Sequence, residues 1–490
     1  MSSGEEKTQG VTPSGKRIVS GMVWRFAEKI TAQGVSLIVS IILARILMPD
    51  DYGIVALVNV FIAIAEVFVT SGLGTALIQK KEATPLDFST LFWCNLILSG
   101  LIYLIVFTAA PLIAAFYQIP LMTPVLRVVA LRIPINAINS IQNAYVSRHM
   151  DFKKFFFATI IGTVISAIVG IMMAYRGFGV WALVAQVLIN TTIDTFVLFL
   201  TIRWKPSFAF SLEAAKPLIG FGWKILATDL IGTVFNHLNA FIIGKRYGSS
   251  DLAYYSQGRK YPELINNNIE ATMSAVLFPA MSLSANIEDI KAIRRKSLKM
   301  MEYVLFPIML GIFVIADRMI VVLLTEKWIP AVPFVRIACL SSVLSILGTT
   351  LIQEIKAIGR SDITLKLEFI KKSIYIAVIL IAVRFGVLAI AWTSVIFQIV
   401  AFCVNVYPVR KYIGFSIRDH LRDAVPSLLM AMAMAVIVYC LGRVVSNDTL
   451  CLCVQIAAGG LVYLAASVVS KNEEFYYLLG IISSRIGRGK

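Results

Sequence analysis

Apolar runs of about 20 or more residues recur along the whole chain, with short polar stretches between them. Each run is long enough to cross about 30 Å of hydrocarbon as a helix. The polar stretches contain Pro, Gly, Asn and Asp, which favour turns and helix ends. This pattern predicts fourteen membrane-spanning helices. The predicted spans are residues 21–47, 52–78, 87–116, 121–146, 155–175, 178–202, 217–244, 251–282, 299–325, 331–357, 363–384, 386–409, 423–444 and 449–470.

The composition agrees with this pattern. Of the 490 residues, 58% are hydrophobic and only 15% are charged, whereas a soluble chain carries about 25% charged residues. The sequence therefore predicts an all-α polytopic membrane protein. The net charge is +17, but the basic residues lie in loops and not on a helix with interleaved aromatics, so nucleic acid is not an expected partner. No nucleotide signature, metal-ligand cluster or nucleophile–base set occurs, so we expect no cofactor, no metal and no enzymatic activity.

The positions of the basic residues predict the orientation. Alternate span ends differ, with roughly four times as many Lys and Arg residues on one side as on the other. The richer side includes both chain ends, and basic residues concentrate in cytoplasmic loops. We therefore predict a cytoplasmic N-terminal tail over residues 1–20 and a cytoplasmic C-terminal tail over residues 471–490.

Part of the sequence repeats after about 200 residues, as transporter sequences often do. The matching pairs are Trp24-Arg25 with Trp223-Lys224, Ala44-Arg45 with Gly244-Lys245, and Asp51-Tyr52-Gly53 with Asp251-Leu252-Ala253. The repeat predicts two pseudo-symmetric six-helix lobes, residues 21–205 and 217–411, around a central cavity. An even number of spans gives both lobes the same orientation. Residues 423–470 form an additional helix pair.

Several predicted spans carry charged or polar residues in their middles, which a bilayer tolerates only against a cavity, a partner or a substrate. The basic residues predicted to bind substrate are Arg25, Lys29, Lys224 and Arg259. The residues predicted to line the cavity or to couple transport to an ion are Glu66, Asp229, His237, Glu263 and Asn267. Together they form a ladder of mainly positive charge along spans 1, 2, 7 and 8. Arg259 lies eight residues inside its span, about 12 Å from the outer end.

Structural roles stay open for some of these residues. Arg25 and Lys224 lie near the predicted cytoplasmic mouth, where long side chains can extend to the headgroups. His237 can be an interior histidine with satisfied hydrogen bonds. An acid in lipid costs several kcal/mol unless it is paired or neutralised, so some acids must pair with basic groups. Glu263 can form such an ion pair with Arg259, because it lies one helical turn after it.

Three segments resemble a known family. Leu47–Leu57 resembles the turn between spans 1 and 2 of the bacterial polysaccharide flippases, the polysaccharide-transporter branch of the multidrug/oligosaccharidyl-lipid/polysaccharide exporter superfamily. Ala253–Arg259 and Phe278–Ser282 resemble the corresponding span 8 segments and are most similar to the colanic-acid exporter type. The resemblance covers nearly the whole chain, but these motifs identify the family and not the sugar.

The resemblance implies a function. It implies that the protein moves undecaprenyl-pyrophosphate-linked oligosaccharide from the inner to the outer leaflet of the bacterial inner membrane by alternating access, for O-antigen, capsule or exopolysaccharide synthesis. It implies a cationic cavity that holds the pyrophosphate, with Arg25, Lys224 and Arg259 at matching positions. A coupling proton or sodium ion is expected, and the polysaccharide polymerase and chain-length machinery are expected partners.

The sequence leaves two alternative functions open. The first is a cation-coupled multidrug-type exporter of the same superfamily, which should prefer an acidic, aromatic cavity over the basic residues found here. The second is a membrane polysaccharide polymerase or ligase, which needs a sizeable external region to arrange its substrates. The predicted external loops are short and argue against it.

Overall fold

The structure, a computed structural model, describes residues 15–80, 83–284, 286–414 and 416–486. Residues 1–14 and 487–490 of the two predicted tails lie outside this part of the chain. Across the described residues the secondary structure is helical, without β-strands. The helices are α1 (Gly15–Ile46), α2 (Pro49–Thr70), α3 (Leu73–Gln79), α4 (Pro85–Tyr117), α5 (Met122–Val129), α6 (Arg132–His149), α7 (Phe152–Tyr175), α8 (Val180–Thr201), α9 (Leu212–Arg246), α10 (Ser249–Ser282), α11 (Ile287–Leu324), α12 (Val332–Ala357, after a 3-10 turn at Glu326–Ala331), α13 (Ser361–Ala382), α14 (Val387–Ile413), α15 (Ile417–Val444), α16 (Asp448–Val469) and α17 (Glu473–Ile486).

Every predicted span coincides with one helix or with two consecutive helices. Within the described ranges, twelve helical segments are long and apolar enough to cross a membrane. The other two predicted spans, α10 and α13, have the length but carry several charged residues each. The prediction of an all-α polytopic membrane protein is confirmed, and the pairing of helices into two symmetric lobes stays a prediction.

Two spans are interrupted, which the apolar pattern does not predict. Span 2 breaks between α2 and α3 at Gly72, whose φ of +85° is a conformation that glycine adopts without strain. Span 4 breaks between α5 and α6 at Ala130 and Leu131. Pro134, in the first turn of α6, has no N–H and its ring clashes with the carbonyl four residues earlier, which disfavours a regular helix at this point.

The chain divides into two compact units, Met1–Ser249 and Ser250–Lys490, here called unit 1 and unit 2. In unit 1, α7 packs against α1 and α8, while α9 packs against α2, α3 and α4. In unit 2, α11 packs against α12, α15 and α16, and α14 packs against α12 and α13. Unit 1 thus includes α9, which the sequence repeat assigns to the second half.

Two glycines at the ends of α2 allow close backbone contacts within unit 1. A Cβ atom at Gly53 would overlap the backbone carbonyl of Ser249, and a Cβ at Gly72 would overlap the carbonyl of Gly222. Backbone atoms cannot move aside as a flexible side chain can. The chain is therefore in backbone contact with α9 just after α2 ends, at Gly222, and α2 meets the first residue of α10, Ser249, near its start.

Unit 2 carries two helical regions beyond the predicted spans. Helix α11 begins at Ile287, well before the predicted span, and Asn286 caps it by accepting a hydrogen bond from the Asp289 N–H at 2.9 Å. Helix α17 lies within the predicted C-terminal tail and exposes apolar side chains that include Tyr476 and Leu479. Such a helix suits the membrane interface.

Candidate functional site

The predicted basic residues of α1 lie at the surface of unit 1. Arg25 and Lys29 are both exposed. The Arg25 guanidinium donates to the Glu28 carboxylate at 2.7 Å and lies 4.9 Å from the centroid of the Phe155 ring. Arg25 is therefore already oriented by an acid and an aromatic ring, while Lys29 extends from the next turn of the helix.

The predicted polar residues of α9 do not form one cluster. Lys224 and Asp229 are exposed and His237 is half-buried. Lys224 and His237 are thirteen residues apart, so their side chains leave the helix about 140° apart. A single ligand can therefore contact some of these side chains but not all of them.

Glu66 on α2 lies against the interrupted span 4. Its carboxylate accepts a hydrogen bond from Asn136 Nδ2 at 2.7 Å and lies 3.2 Å from an Arg132 nitrogen. The side chains of Glu66 and Arg132 are only 17% and 22% exposed. Arg132 is the first residue of α6, so Glu66 also lies near a helix N-terminus, where negative charge is favoured.

Arg132 begins a row of polar side chains along one side of α6. Arg132, Asn136, Asn139 and Asn143 follow at intervals of four, three and four residues, so they share one face, here called the α6 polar face. Asn139 is buried and donates to the Asp194 carboxylate at 3.0 Å, while Asn143 donates to Asn139. The α6 polar face therefore connects two carboxylates, on α2 and on α8.

The network continues from Asp194 toward α1. The Thr159 hydroxyl oxygen lies 3.4 Å from the carboxylates of both Asp194 and Glu28. One hydroxyl proton can satisfy only one of the two acids at a time. Because Glu28 binds Arg25, the predicted surface cation and the interior acids belong to one connected set of polar groups.

In unit 2, Arg259 on α10 is held by two residues of its own helix. Its Nε donates to Glu263 Oε1 at 2.6 Å, and its guanidinium contacts the Tyr255 hydroxyl and lies 4.9 Å from the centroid of that ring. Tyr255 is buried and packs edge-on against Phe334 of α12, with ring centroids 5.8 Å apart. Arg259 is still 29% exposed, so this fixed guanidinium can reach a ligand.

The backbone of α10 is locally weakened beside Arg259. Pro262 has no N–H, so the helix lacks the bond that would reach the carbonyl of Gly258. Gly258 itself packs so closely that a Cβ would lie 2.7 Å from the Ala331 carbonyl. The helix is therefore pressed against its neighbours at the point where it carries its deepest predicted cation.

A second polar group on α10 contacts α12. Ser345 donates to Glu270 at 2.6 Å, and the same carboxylate accepts from Asn266 at 3.1 Å. Asn267, a predicted cavity residue, is exposed on the neighbouring side of α10. Among the described residues, the hydrogen-bond donors to Glu270 are thus neutral groups and not a cation.

Sequence reasoning did not single out Arg132 or the three asparagines of the α6 polar face, although their 4-3-4 spacing is visible in the sequence. It also did not single out Tyr255 as the residue that holds Arg259, although Tyr255 lies one turn before it. In the described part of the chain, no group of three or more His, Cys, Asp or Glu residues is arranged to hold a metal ion.

Known polysaccharide biosynthesis proteins resemble this chain in sequence. A family model described as "Polysaccharide biosynthesis protein" matches residues 42–333, which include the three segments quoted above. The succinoglycan biosynthesis transport protein ExoT of Rhizobium meliloti (strain 1021) is 23% identical over 488 residues, covering 97% of each chain. The lipopolysaccharide biosynthesis protein WzxC of Escherichia coli (strain K12) is 23% identical over 444 residues, covering 88% of this chain and 89% of WzxC.

A solved structure shares the architecture. The lipid II flippase MurJ in an inward closed conformation superposes with a TM-score of 0.75, covering 91% of this chain and 98% of that chain at 14% sequence identity. The likeness shows a common fold over nearly the full length.

Proposed function

Because the chain belongs to the polysaccharide biosynthesis protein family, we propose that it carries undecaprenyl-pyrophosphate-linked oligosaccharides across the bacterial inner membrane by alternating access. The product would supply surface polysaccharide such as O-antigen, capsule or exopolysaccharide. The names of the similar proteins, a succinoglycan transport protein and a lipopolysaccharide biosynthesis protein, support this class of cargo. The shared fold with a lipid II flippase supports movement of a lipid-linked sugar.

The oriented and partly exposed guanidinium of Arg259 is the main structural support for this function. A pyrophosphate bears about two negative charges, which cannot enter hydrocarbon without fixed cations along the path. Arg259 is oriented by Tyr255 and Glu263, yet its remaining N–H groups are accessible. A guanidinium can hold two phosphate oxygens at once, which an ammonium cannot. Arg25, Lys29 and Lys224 would attract the same group nearer the predicted cytoplasmic mouth.

The acids of unit 1 are candidates for ion coupling. Glu66 and Asp194 are linked through the α6 polar face, and Thr159 can satisfy only one of Asp194 and Glu28 at a time. A poorly hydrated carboxylate is stabilised by a proton, a sodium ion or a fixed cation. Binding of a proton or sodium ion at this network would change its hydrogen bonds and bias one conformation over another.

We further propose that both termini are cytoplasmic and that the protein works beside the polysaccharide polymerase and chain-length machinery. In a background without other cysteines, Ser446→Cys, in the loop before α16, should react with an impermeant thiol reagent in intact cells. Reaction only after the membrane is permeabilised would reverse the proposed orientation.

A deletion strain provides the test of the function. It should lose surface polysaccharide and accumulate lipid-linked repeat units that an external glycosidase cannot reach. The intact gene should restore both properties. Accumulation of single repeat units on the outer face would instead indicate a polymerase defect, and unchanged polysaccharide with lost drug resistance would favour the multidrug alternative.

A further inference from the structure

A cavity of about 970 Å³ opens in unit 2 between the start of α11, the start of α15 and α17. It lies at the end of these helices that the charge distribution predicts to be cytoplasmic. No described residue predicted to bind the substrate or a coupling ion contributes to its wall. The wall carries both acidic and basic side chains.

Most of the acids in the wall are paired with bases of the same wall. Asp423 binds Arg295 at 2.6 Å and lies 3.6 Å from Lys299. The Lys299 ammonium also lies 3.9 Å from the carboxylates of both Glu473 and Glu474. These pairs hold the three helices together and leave little free charge among them.

Glu302 is the acid in the wall that these pairs leave unsatisfied. Its residue is 0% exposed, and neither carboxylate oxygen accepts a hydrogen bond from the described residues. The Nε2 atom of His420 lies 3.5 Å from Glu302 Oε1 but makes no hydrogen bond to it. A buried carboxylate without donors is costly, and such groups commonly await a ligand, ion or water.

Two bases in the wall have no carboxylate of the described chain within ion-pair distance. The Lys296 ammonium lies 3.9 Å from the centroid of the Tyr477 ring, and Arg422 is exposed at the edge of the cavity. Lys296 precedes Glu302 by six residues, about 9 Å along α11. The cavity therefore presents cations near its opening and, in its interior, a buried carboxyl group without a hydrogen-bond donor.

We propose that this cavity binds a zwitterion carrying a primary ammonium and a phosphate, namely phosphoethanolamine, either free or as a lipid headgroup. The ammonium would donate to Glu302, and the phosphate would contact Lys296 and Arg422. The ammonium would supply the donor that the Glu302 carboxyl group lacks and the phosphate would pair with the two bases, whereas a simple anion would leave Glu302 without a donor.

The surroundings suit a ligand at headgroup depth. Helix α17 follows the last span directly, and its exposed Tyr476 and Leu479 are residue types that favour the membrane interface. The cavity is large enough for the headgroup together with water.

The test uses the purified full chain in a detergent without a phosphocholine headgroup. Phosphoethanolamine should bind by calorimetry and raise the unfolding temperature. Phosphocholine, whose quaternary ammonium cannot donate hydrogen bonds, should bind at least tenfold more weakly. Glu302→Gln should weaken phosphoethanolamine binding at least tenfold, because an amide cannot carry the negative charge that would pair with the bound ammonium. Asp317→Asn, the same change at the opposite end of α11, should leave binding unchanged.

A second variant keeps the proposal testable if Glu302→Gln does not fold. Ala292 is exposed on the cavity wall, so Ala292→Trp should block the cavity without disturbing the core. Nanodiscs distinguish a lipid headgroup from a free ligand. If wild type retains phosphatidylethanolamine over phosphatidylcholine and Ala292→Trp does not, the ligand is the lipid. If only the soluble molecule binds, the ligand is cytosolic. Absence of both kinds of binding, or equal binding by wild type and both variants, would overturn the proposal.

Discussion

Arg259→Ala should abolish polysaccharide export while the protein remains folded in the membrane. The ion pair that the change removes is a modest one. Arg259 and Glu263 lie one turn apart on the same helix, and their side chains are 29% and 39% exposed. A solvent-accessible pair of this kind stabilises a helix by about 0.3–0.5 kcal/mol. Abundance in the membrane and the unfolding temperature should therefore hardly change.

The effect on transport should be much larger. A hydrogen bond to a charged group contributes about 1.5–3 kcal/mol, and a guanidinium can make two to a pyrophosphate. Losing about 3 kcal/mol corresponds to roughly a hundredfold loss in the rate or affinity of the step that uses it. Arg259→Lys keeps the charge but not the forked geometry, so it should keep about a tenth of the activity.

The assay compares surface polysaccharide with a blot of the membrane fraction for each variant. Arg384→Ala removes another exposed arginine of unit 2 and should export normally. Tyr255→Phe should fall between wild type and Arg259→Ala, because the guanidinium loses one of its two supports. Export at the wild-type level by Arg259→Ala would refute the role in substrate binding. Disappearance of the protein itself would show that the residue acts in folding.

Two further predictions concern unit 1. Glu66→Ala should destabilise the purified protein by about 2 kcal/mol, which is less than the loss expected on breaking a fully buried ion pair. The double variant Glu66→Ala/Arg132→Ala should recover part of that stability, because no unpaired cation remains. Simply additive losses in thermal unfolding would contradict the pairing. Gly53→Ala should destabilise by at least about 1–3 kcal/mol because its Cβ meets the Ser249 backbone, whereas Gly34→Ala, with open space around it, should be neutral or stabilising. Equal unfolding temperatures for the two glycine variants would contradict the contact.

The sequence predicts the spans well because the length and polarity of each apolar run determine whether it can cross a bilayer. It does not predict the interruptions at Gly72 and at Ala130–Leu131, since two residues scarcely alter the average polarity of a long run. Pro134 is the local signal for the second interruption, but prolines also occur inside the intact helices α10 and α11. Whether a proline breaks a span depends on packing around it, which a single sequence does not contain.

The sequence predicts which residue types form the candidate site, but it does not predict which of these residues pair with each other. The polar interiors of spans 2, 7 and 8 identify Glu66, His237 and Arg259 as unusual, because lipid disfavours them wherever they occur. The partner of Glu66 lies 66 residues away at the helix break, and only the fold brings the two side chains together. The cavity around Glu302 depends even more on the fold, because three segments far apart in sequence build it.

The polar contacts themselves support the predicted internal repeat, which we propose reflects two homologous halves. In unit 1, an acid on span 2, Glu66, accepts a hydrogen bond from Asn136 on span 4. In unit 2, an acid on span 8, Glu270, accepts one from Ser345 on span 10. Spans 2 and 4 correspond to spans 8 and 10 in a six-span repeat, and both contacts shift by a little over 200 residues, near the offset of the sequence matches. The partners of Glu66 are a cation and an amide, whereas the partners of Glu270 are a hydroxyl and an amide.

Two halves that began alike would thus have kept the position of a polar contact while its charge diverged. Unit 1 holds a salt bridge at the position where unit 2 holds neutral donors. Superposing α2 and α6 on α10 and α12 should bring Glu66 onto Asn266 or Glu270, and a match in the opposite chain direction would remove the argument.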